Sequence, residues 1–171
     1  MPWHITVVTR RAENHELEMM TFVHVYQTCN QDSCVVLSIM KDVIGKLKSQ
    51  LPHLKTVFNR QDNASGYHCR ATIVGASFTG CASGVTVKRL DFSDAQSGKD
   101  PCDRKAASIK SHMKIHLNQG SNIETVKEIV DAIQSSGGVP GVDVSLCISA
   151  KDPAPSLNVK IAGVSLISNL V

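Results

Sequence analysis

Hydrophobic and polar positions along this chain follow two rhythms, and the rhythm changes repeatedly from one end to the other. His4-Ile5-Thr6-Val7-Val8-Thr9 is short and β-branched, which predicts a strand. Thr21-Phe22-Val23-His24-Val25-Tyr26-Gln27 alternates with period two and predicts a second strand, antiparallel to the first. The polar stretch from Arg10 to Glu18 reads as an exposed connection longer than a tight hairpin loop. Beyond it, Asn30 or Asp32 suits a helix N-cap. Val35, Val36, Ile39, Met40, Val43, Ile44 and Leu47 then recur at helical spacing, and Pro52 closes the helix.

The pattern continues with a short strand at Lys55 to Arg60, which places Gln61-Asp62-Asn63 at its C-terminal end. A weaker helix over roughly 66–78 is rich in small residues, and a strand follows over 85–92. Gly98, Lys99 and Pro101 mark a loop, and Pro101 suits the edge of a new helix running to about Asn118. Its inward positions are Ala106, Ile109, Met113 and Leu117, Asp103 lies in its first turn, and Gly120 stops it. Ser121 or Asn122 caps a further helix with Val126, Ile129, Val130 and Ile133 inward, ended by Gly137-Gly138. A strand over 142–148, a Pro-containing loop over 151–156 and an apolar run over 159–171 complete the chain. Strands alternating with helices predict an α/β sheet with crossover connections. An antiparallel pair leading into such crossovers fits a mixed five-stranded ribonuclease H-like sheet entered at its second strand.

The 171 residues suffice for one domain with a sizeable core, so a single domain over 1–171 is expected. A hydrophobic share of 42% and a charged share of 19% exclude a disordered chain. The net charge of +3 permits a nucleic-acid partner without demanding one. Cys29, Cys34, Cys69, Cys81, Cys102 and Cys147 show no paired zinc spacing. The start carries no basic flank and apolar run of a signal peptide, so reduced thiols in the nucleus or cytoplasm are expected. No apolar stretch approaches the ~20 residues that span a bilayer, and no membrane partner is expected.

Candidate chemistry rests on carboxylates. Two-metal phosphodiester chemistry needs a few Asp or Glu side chains converging from separate elements, with Mg2+ or Mn2+ completing its shell from water and phosphate oxygens. Strand C-termini and adjoining helix starts present such groups in open α/β sheets. Asp62 occupies a strand end, and its competing reading is a turn aspartate. Asp103 opens a helix, and its competing reading is a partner of the helix dipole. Asp91 and Asp94 are rivals for either role. Arg104, Lys105, Lys110, His112, Lys114 and His116 share one helix, as either phosphate donors or a solvated face. His68 and Cys69 lack a partner at metal-binding spacing and read as packed residues, and Trp3 reads as core or strand edge.

Several segments together resemble one group of proteins. They are Trp3-His4-Ile5-Thr6-Val7-Val8, Phe58-Asn59-Arg60-Gln61-Asp62-Asn63-Ala64 with Tyr67-His68-Cys69, and Leu90-Asp91-Phe92-Ser93-Asp94-Ala95-Gln96-Ser97-Gly98-Lys99 followed by Cys102-Asp103-Arg104-Lys105-Ala106-Ala107. Later landmarks are Ile109-Lys110-Ser111-His112, the helix from Thr125 to Ile133, Gly137-Gly138-Val139-Pro140-Gly141-Val142, and Gly163-Val164-Ser165. The chain resembles, over nearly its whole length, transposon-derived proteins of animal genomes with a ribonuclease H-like transposase core. The resemblance implies Asp62 as second catalytic acid and Asp103 as third, both metal ligands, with Mg2+ or Mn2+ as cofactor in a complete form. It implies DNA as partner and places Lys99 in a glycine-lysine loop before the third acid; Lys99, Arg104, Lys105 and Lys110 are the candidate phosphate contacts, and no small-molecule ligand is expected.

Two departures accompany the resemblance. Asp100 follows Lys99 where the family favours glycine, and the first acid would lie upstream of Trp3, on a first strand expected to be missing. The C-terminus looks cut short after Asn169. The expectation is therefore a truncated, inactive transposase-type domain. The alternatives are a non-enzymatic nucleic-acid- or protein-binding module, or a ribonuclease H-like exonuclease that recruits Asp91 or Asp94.

Overall fold

The computed structural model describes residues 3–29, 32–62, 64, 66–93, 100–147 and 169–170. The architecture is mixed α/β, with mixed sheets and flanking helices. The chain divides into two compact units, each discontinuous: residues 1–29 with 98–149, and residues 30–97 with 150–171. A single five-stranded sheet was the expectation. Among the described residues, hydrogen bonding instead gathers the strands into two three-stranded ladders, one in each unit.

The first unit is built on β1 (Trp3–Arg11), β2 (Leu17–Tyr26) and β5 (Val142–Cys147), with β2 central. β1 and β2 are antiparallel, as their alternation predicts, and β2 and β5 are parallel. The expected long connection is a hairpin. Pairing extends to Arg11 and Leu17, and Ala12 N–H donates to the Glu16 carbonyl while His15 N–H donates to the Ala12 carbonyl. An Arg10–Glu18 ion pair across the ladder explains how this polar stretch remains strand.

One face of this ladder carries Val23 and Val25 from β2, with Trp3, Ile5, Val142 and Val144 beside them. Helices α3 (Pro101–Asn118) and α4 (Val126–Gln134) cover it, contributing Ile109, Val126, Ile129 and Ile133 to one apolar cluster. Trp3 thus packs against the core, as read from the sequence. α4 begins later than Ser121 or Asn122. Its N-cap is Thr125, in a reciprocal capping box with Glu128. A 3-10 turn at Ser135–Gly137 leads out of it.

The second unit holds β3 (Thr56–Gln61), β4 (Thr86–Phe92) and the two-residue β6 (Asn169–Leu170), with β4 central. β3 and β4 are parallel and joined through helix α2 (Arg70–Ala82), the crossover that the alternating pattern implies. α1 (Ser33–Gln50) starts at Asp32, whose carboxylate accepts from Cys34 and Val35 N–H, and ends at Leu51, just before Pro52.

α2 begins four residues later than expected and ends four later. The residues before it are held in a turn instead, with Tyr67 and His68 N–H both donating to the Ala64 carbonyl and Thr72 Oγ1 donating to the Gly66 carbonyl. α2 packs on both α1 and β4 through small residues. Its close approach to β4 requires Gly80, where a Cβ would lie 2.5 Å from the Val85 carbonyl oxygen. The 151–156 loop lies outside the described residues. So does the apolar run over 159–171, apart from 169–170, where β6 pairs antiparallel to β4.

Candidate nucleic-acid interface

The basic residues singled out in the sequence lie on α3, and the helix is fixed at both ends. Asp100 is its N-cap, accepting from Cys102 N–H, and Pro101 occupies the first turn, where a missing N–H costs nothing. Ile109 is fully buried against the sheet and sets the rotation of the helix. At 3.6 residues per turn, the exposed positions Asp103, Arg104, Ala107, Ser108, Lys110, Ser111, Lys114, Ile115, Leu117 and Asn118 then form one continuous outward arc, so Leu117, expected inward, lies at the edge of the open side. Arg104, Lys110 and Lys114 are the cations of that arc, and Asp103 is its acid.

The remaining basic groups of α3 point elsewhere. Lys105 Nζ donates to the Pro140 carbonyl at 3.3 Å, tying the helix to the turn before β5. His112 Nε2 lies 3.0 Å from the Ser135 carbonyl and 3.4 Å from Ser135 Oγ, tying it to the end of α4. Lys105 and His112 therefore position the helix, while Arg104, Lys110 and Lys114 are exposed on its outward side. Lys99 and Asp94 lie outside the described residues.

The two candidate acids occupy different units. Asp103 is exposed in the first turn of α3, in the first unit, where it complements the helix dipole. Asp62 is exposed immediately after β3, in the second unit. The strand ends around Asp62 are tied together. Ser93 N–H and Oγ both donate to the Gln61 carbonyl, and the Gln61 amide donates to the Tyr67 carbonyl. Asp62 thus lies at the C-terminal rim of a parallel strand pair, the location at which open α/β sheets present ligand groups.

Asp91, the rival acid on β4, is committed to a neighbour: its Oδ1 accepts from Arg89 Nε at 2.8 Å. No group of three His, Cys, Asp or Glu side chains is arranged to hold a metal ion among the described residues. A two-metal centre needs such convergence. Asp91 is engaged by arginine, and Asp62 and Asp103 belong one to each unit.

The other groups considered from sequence are packed. The His68 ring packs on Phe92 at 4.2 Å between centroids; Cys69 is the N-cap residue of α2 without a side-chain cap bond, and its thiol lies 3.2 Å from Thr72 Oγ1. Burial pushes the Cys102 thiol above its ordinary value; a backbone hydrogen bond at Val7 opposes that shift, and Asp100 and Asp103 reinforce it. Such a thiol is a poor nucleophile. Cys34, Cys69, Cys81 and Cys102 are free thiols.

A family model described as a domain of unknown function (DUF8701) matches residues 3–152. The chain belongs to that family. The DUF8701 match begins at the first residue of β1 and runs past the end of β5, so it takes in elements of both compact units. A search of curated proteins finds no match to the chain. No helix among the described residues of this DUF8701 chain is long and apolar enough to cross a membrane.

Sequence reasoning identified the basic helix but did not separate its positioning cations from its outward ones. Helical phase relative to Ile109 carries that information. It also passed over Phe58, a large apolar side chain left 67% exposed on β3. Phe58 follows Val57, and the two look equivalent until the covered face of the sheet is known.

Proposed function

We propose that this DUF8701 chain is a ribonuclease H-like domain of transposase type that holds duplex DNA without cutting it. The observation that carries the reading is the outward arc of α3, with Arg104, Lys110 and Lys114 displayed on a helix whose inner side is anchored by Ile109, Lys105 and His112. Phosphate contacts require cations on a rigid element with little neighbouring negative charge. The arc carries three cations against the single acid Asp103. The ribonuclease H-like part of the proposal is supported by the segment resemblance and by the crossover at β3–α2–β4. Such a role belongs in the nucleus or cytoplasm.

A second reading, metal-dependent strand cleavage in a more complete form, is favoured by one observation. Asp62 and Asp103 are both exposed, one at a parallel-strand C-terminus and one at a helix start. The two readings separate in one experiment with supercoiled plasmid in Mg2+ or Mn2+. Binding without nicking supports the DNA-holding role. Nicking that Asp62→Ala and Asp103→Ala each abolish would replace it with the second.

A further inference from the structure

The ladder of the second unit has two unlike faces. Val57, Asn59 and Gln61 of β3 and Val87, Leu90 and Phe92 of β4 are half-buried or buried, and α2 packs on β4. Thr56, Phe58 and Arg60 of β3 and Thr86, Lys88 and Arg89 of β4 are exposed. Register explains the composition of this open face. Thr56 pairs with Thr86 and Val57 with Val87, but Phe58 pairs with Arg89, so Lys88 is an extra residue in a bulge. A bulge breaks strict alternation. Here it leaves two consecutive cations, Lys88 and Arg89, exposed beside an exposed phenylalanine. Arg60 lies two residues along β3 from Phe58, on the same face, and pairs with Asp91. Asp91 holds Arg89 by the 2.8 Å hydrogen bond, which fixes that guanidinium on the ladder next to Phe58.

A large aromatic ring on an open sheet face is costly to leave in water, and an aromatic flanked by cations discriminates among ligands. A purely apolar partner would have to desolvate Arg60, Lys88 and Arg89. A duplex hides the faces of its bases in the stack. Unpaired bases on a phosphate chain satisfy both features, since any base stacks on an aromatic ring while the cations meet the phosphates. From this juxtaposition we infer that the open face around Phe58 binds single-stranded nucleic acid. The inference names a different ligand and a different unit from the α3 arc, and it stands or falls separately from the duplex reading.

The test uses the full chain and fluorescence anisotropy with three labelled probes: an oligo-dT, an oligo-U and a duplex of mixed sequence. Oligo-dT or oligo-U binding that falls about fivefold or more in Phe58→Ala, with duplex binding unchanged, is the expected result. Loss of one stacked base is worth ~1–3 kcal/mol, about 5- to 150-fold. Arg60→Gln with Lys88→Gln is expected to lower the single-strand salt slope by about 1.4, since each phosphate contact contributes ~0.7. Because Phe58 is solvent-facing, Phe58→Ala should keep the wild-type circular dichroism. Phe58→Trp supplies an independent readout, with indole emission expected to quench as a base stacks on it. The dT and U arms show whether the sugar 2′-OH contributes. Undetectable single-strand binding at 50 mM salt would overturn the inference, as would unquenched Trp emission. Loss of self-association in Phe58→Ala with single-strand affinity intact would also overturn it, assigning the face to a second copy of the chain.

Discussion

His4 and His24 are directly opposed across the antiparallel β1–β2 pair, on the face of the ladder away from α3 and α4. His24 is almost fully buried, and His4 Nδ1 lies 3.4 Å from Thr6 Oγ1. Burial, reinforced by the proximity of His24, pulls the His4 imidazole down to about 4. Unfolded histidine takes up a proton below about 6.5. Folded His4 resists protonation until about 4, so its contribution to stability is fully present above 6.5 and is lost as pH falls between those values. The unfolding free energy from urea titration should drop between pH 6.5 and 4 with a slope on the order of 1 kcal/mol per pH unit. His4→Gln should flatten that slope, and an unchanged slope would remove His4 as its source.

The capping box of α4 offers a second test of local energetics. Thr125 Oγ1 accepts from Glu128 N–H, and the Glu128 carboxylate accepts from the backbone N–H groups of Glu124 and Thr125 at 2.7 Å each. These hydrogen bonds hold the Glu128 carboxyl below its ordinary value, the backbone bond at Glu124 being the largest cause. Its stabilisation is therefore present at neutral pH and fades in acid as the carboxylate takes up a proton. Thr125→Ala should cost about 1 kcal/mol in chemical denaturation. Glu128→Gln should narrow the stability difference between neutral and acidic solution.

Two helix glycines should respond oppositely to the same substitution. Gly45 in α1 has nothing within 4 Å of an added Cβ, so Gly45→Ala should gain up to ~1 kcal/mol from helix propensity alone. At Gly80 the added carbon would meet the Val85 carbonyl oxygen at 2.5 Å and Val87 Cγ2 at 2.9 Å. Gly80→Ala should therefore destabilise by ~1–3 kcal/mol, because a backbone must shift to admit it. Thermal melts of the two variants against wild type check both signs.

Ile109 couples the core to the proposed interface. It is fully buried within the cluster that joins β2, α3 and α4. Ile109→Ala should cost ~2–5 kcal/mol and weaken duplex binding even where the protein remains folded, since the helix loses its rotational anchor. Ile109→Val should cost ~0.5–1.5 kcal/mol and leave binding intact.

How much of this was legible without coordinates depends on the kind of signal. α3 was bounded correctly from Pro101 to Asn118 because punctuation is local, a proline in the first turn and Gly120 beyond the end, where φ is +90°. α4 started late because Thr125 and Glu128, spaced as a capping box, outcompete Ser121 and Asn122. α2 was displaced because its small residues give weak periodicity and the turn before it is fixed by Thr72, inside the helix. Strand partners were the least legible. β2 finds its parallel neighbour in β5, most of the chain away, and no local pattern in either names the other. In the site, residue types were readable and facing was not, which is why Lys105 and Lys110 looked alike and the exposure of Phe58 went unread.

The most direct measurement of the central claim is the salt dependence of duplex DNA binding by the full chain. With Arg104, Lys110 and Lys114 each meeting a phosphate, log Kd plotted against log salt should have a slope magnitude of about 2.7. Lys110→Gln with Lys114→Gln should reduce it by about 1.8, whereas Lys105→Gln should leave it unchanged. Duplex affinity indifferent to salt, or a slope that the double substitution does not alter, would contradict the assignment of α3 as the DNA-holding surface.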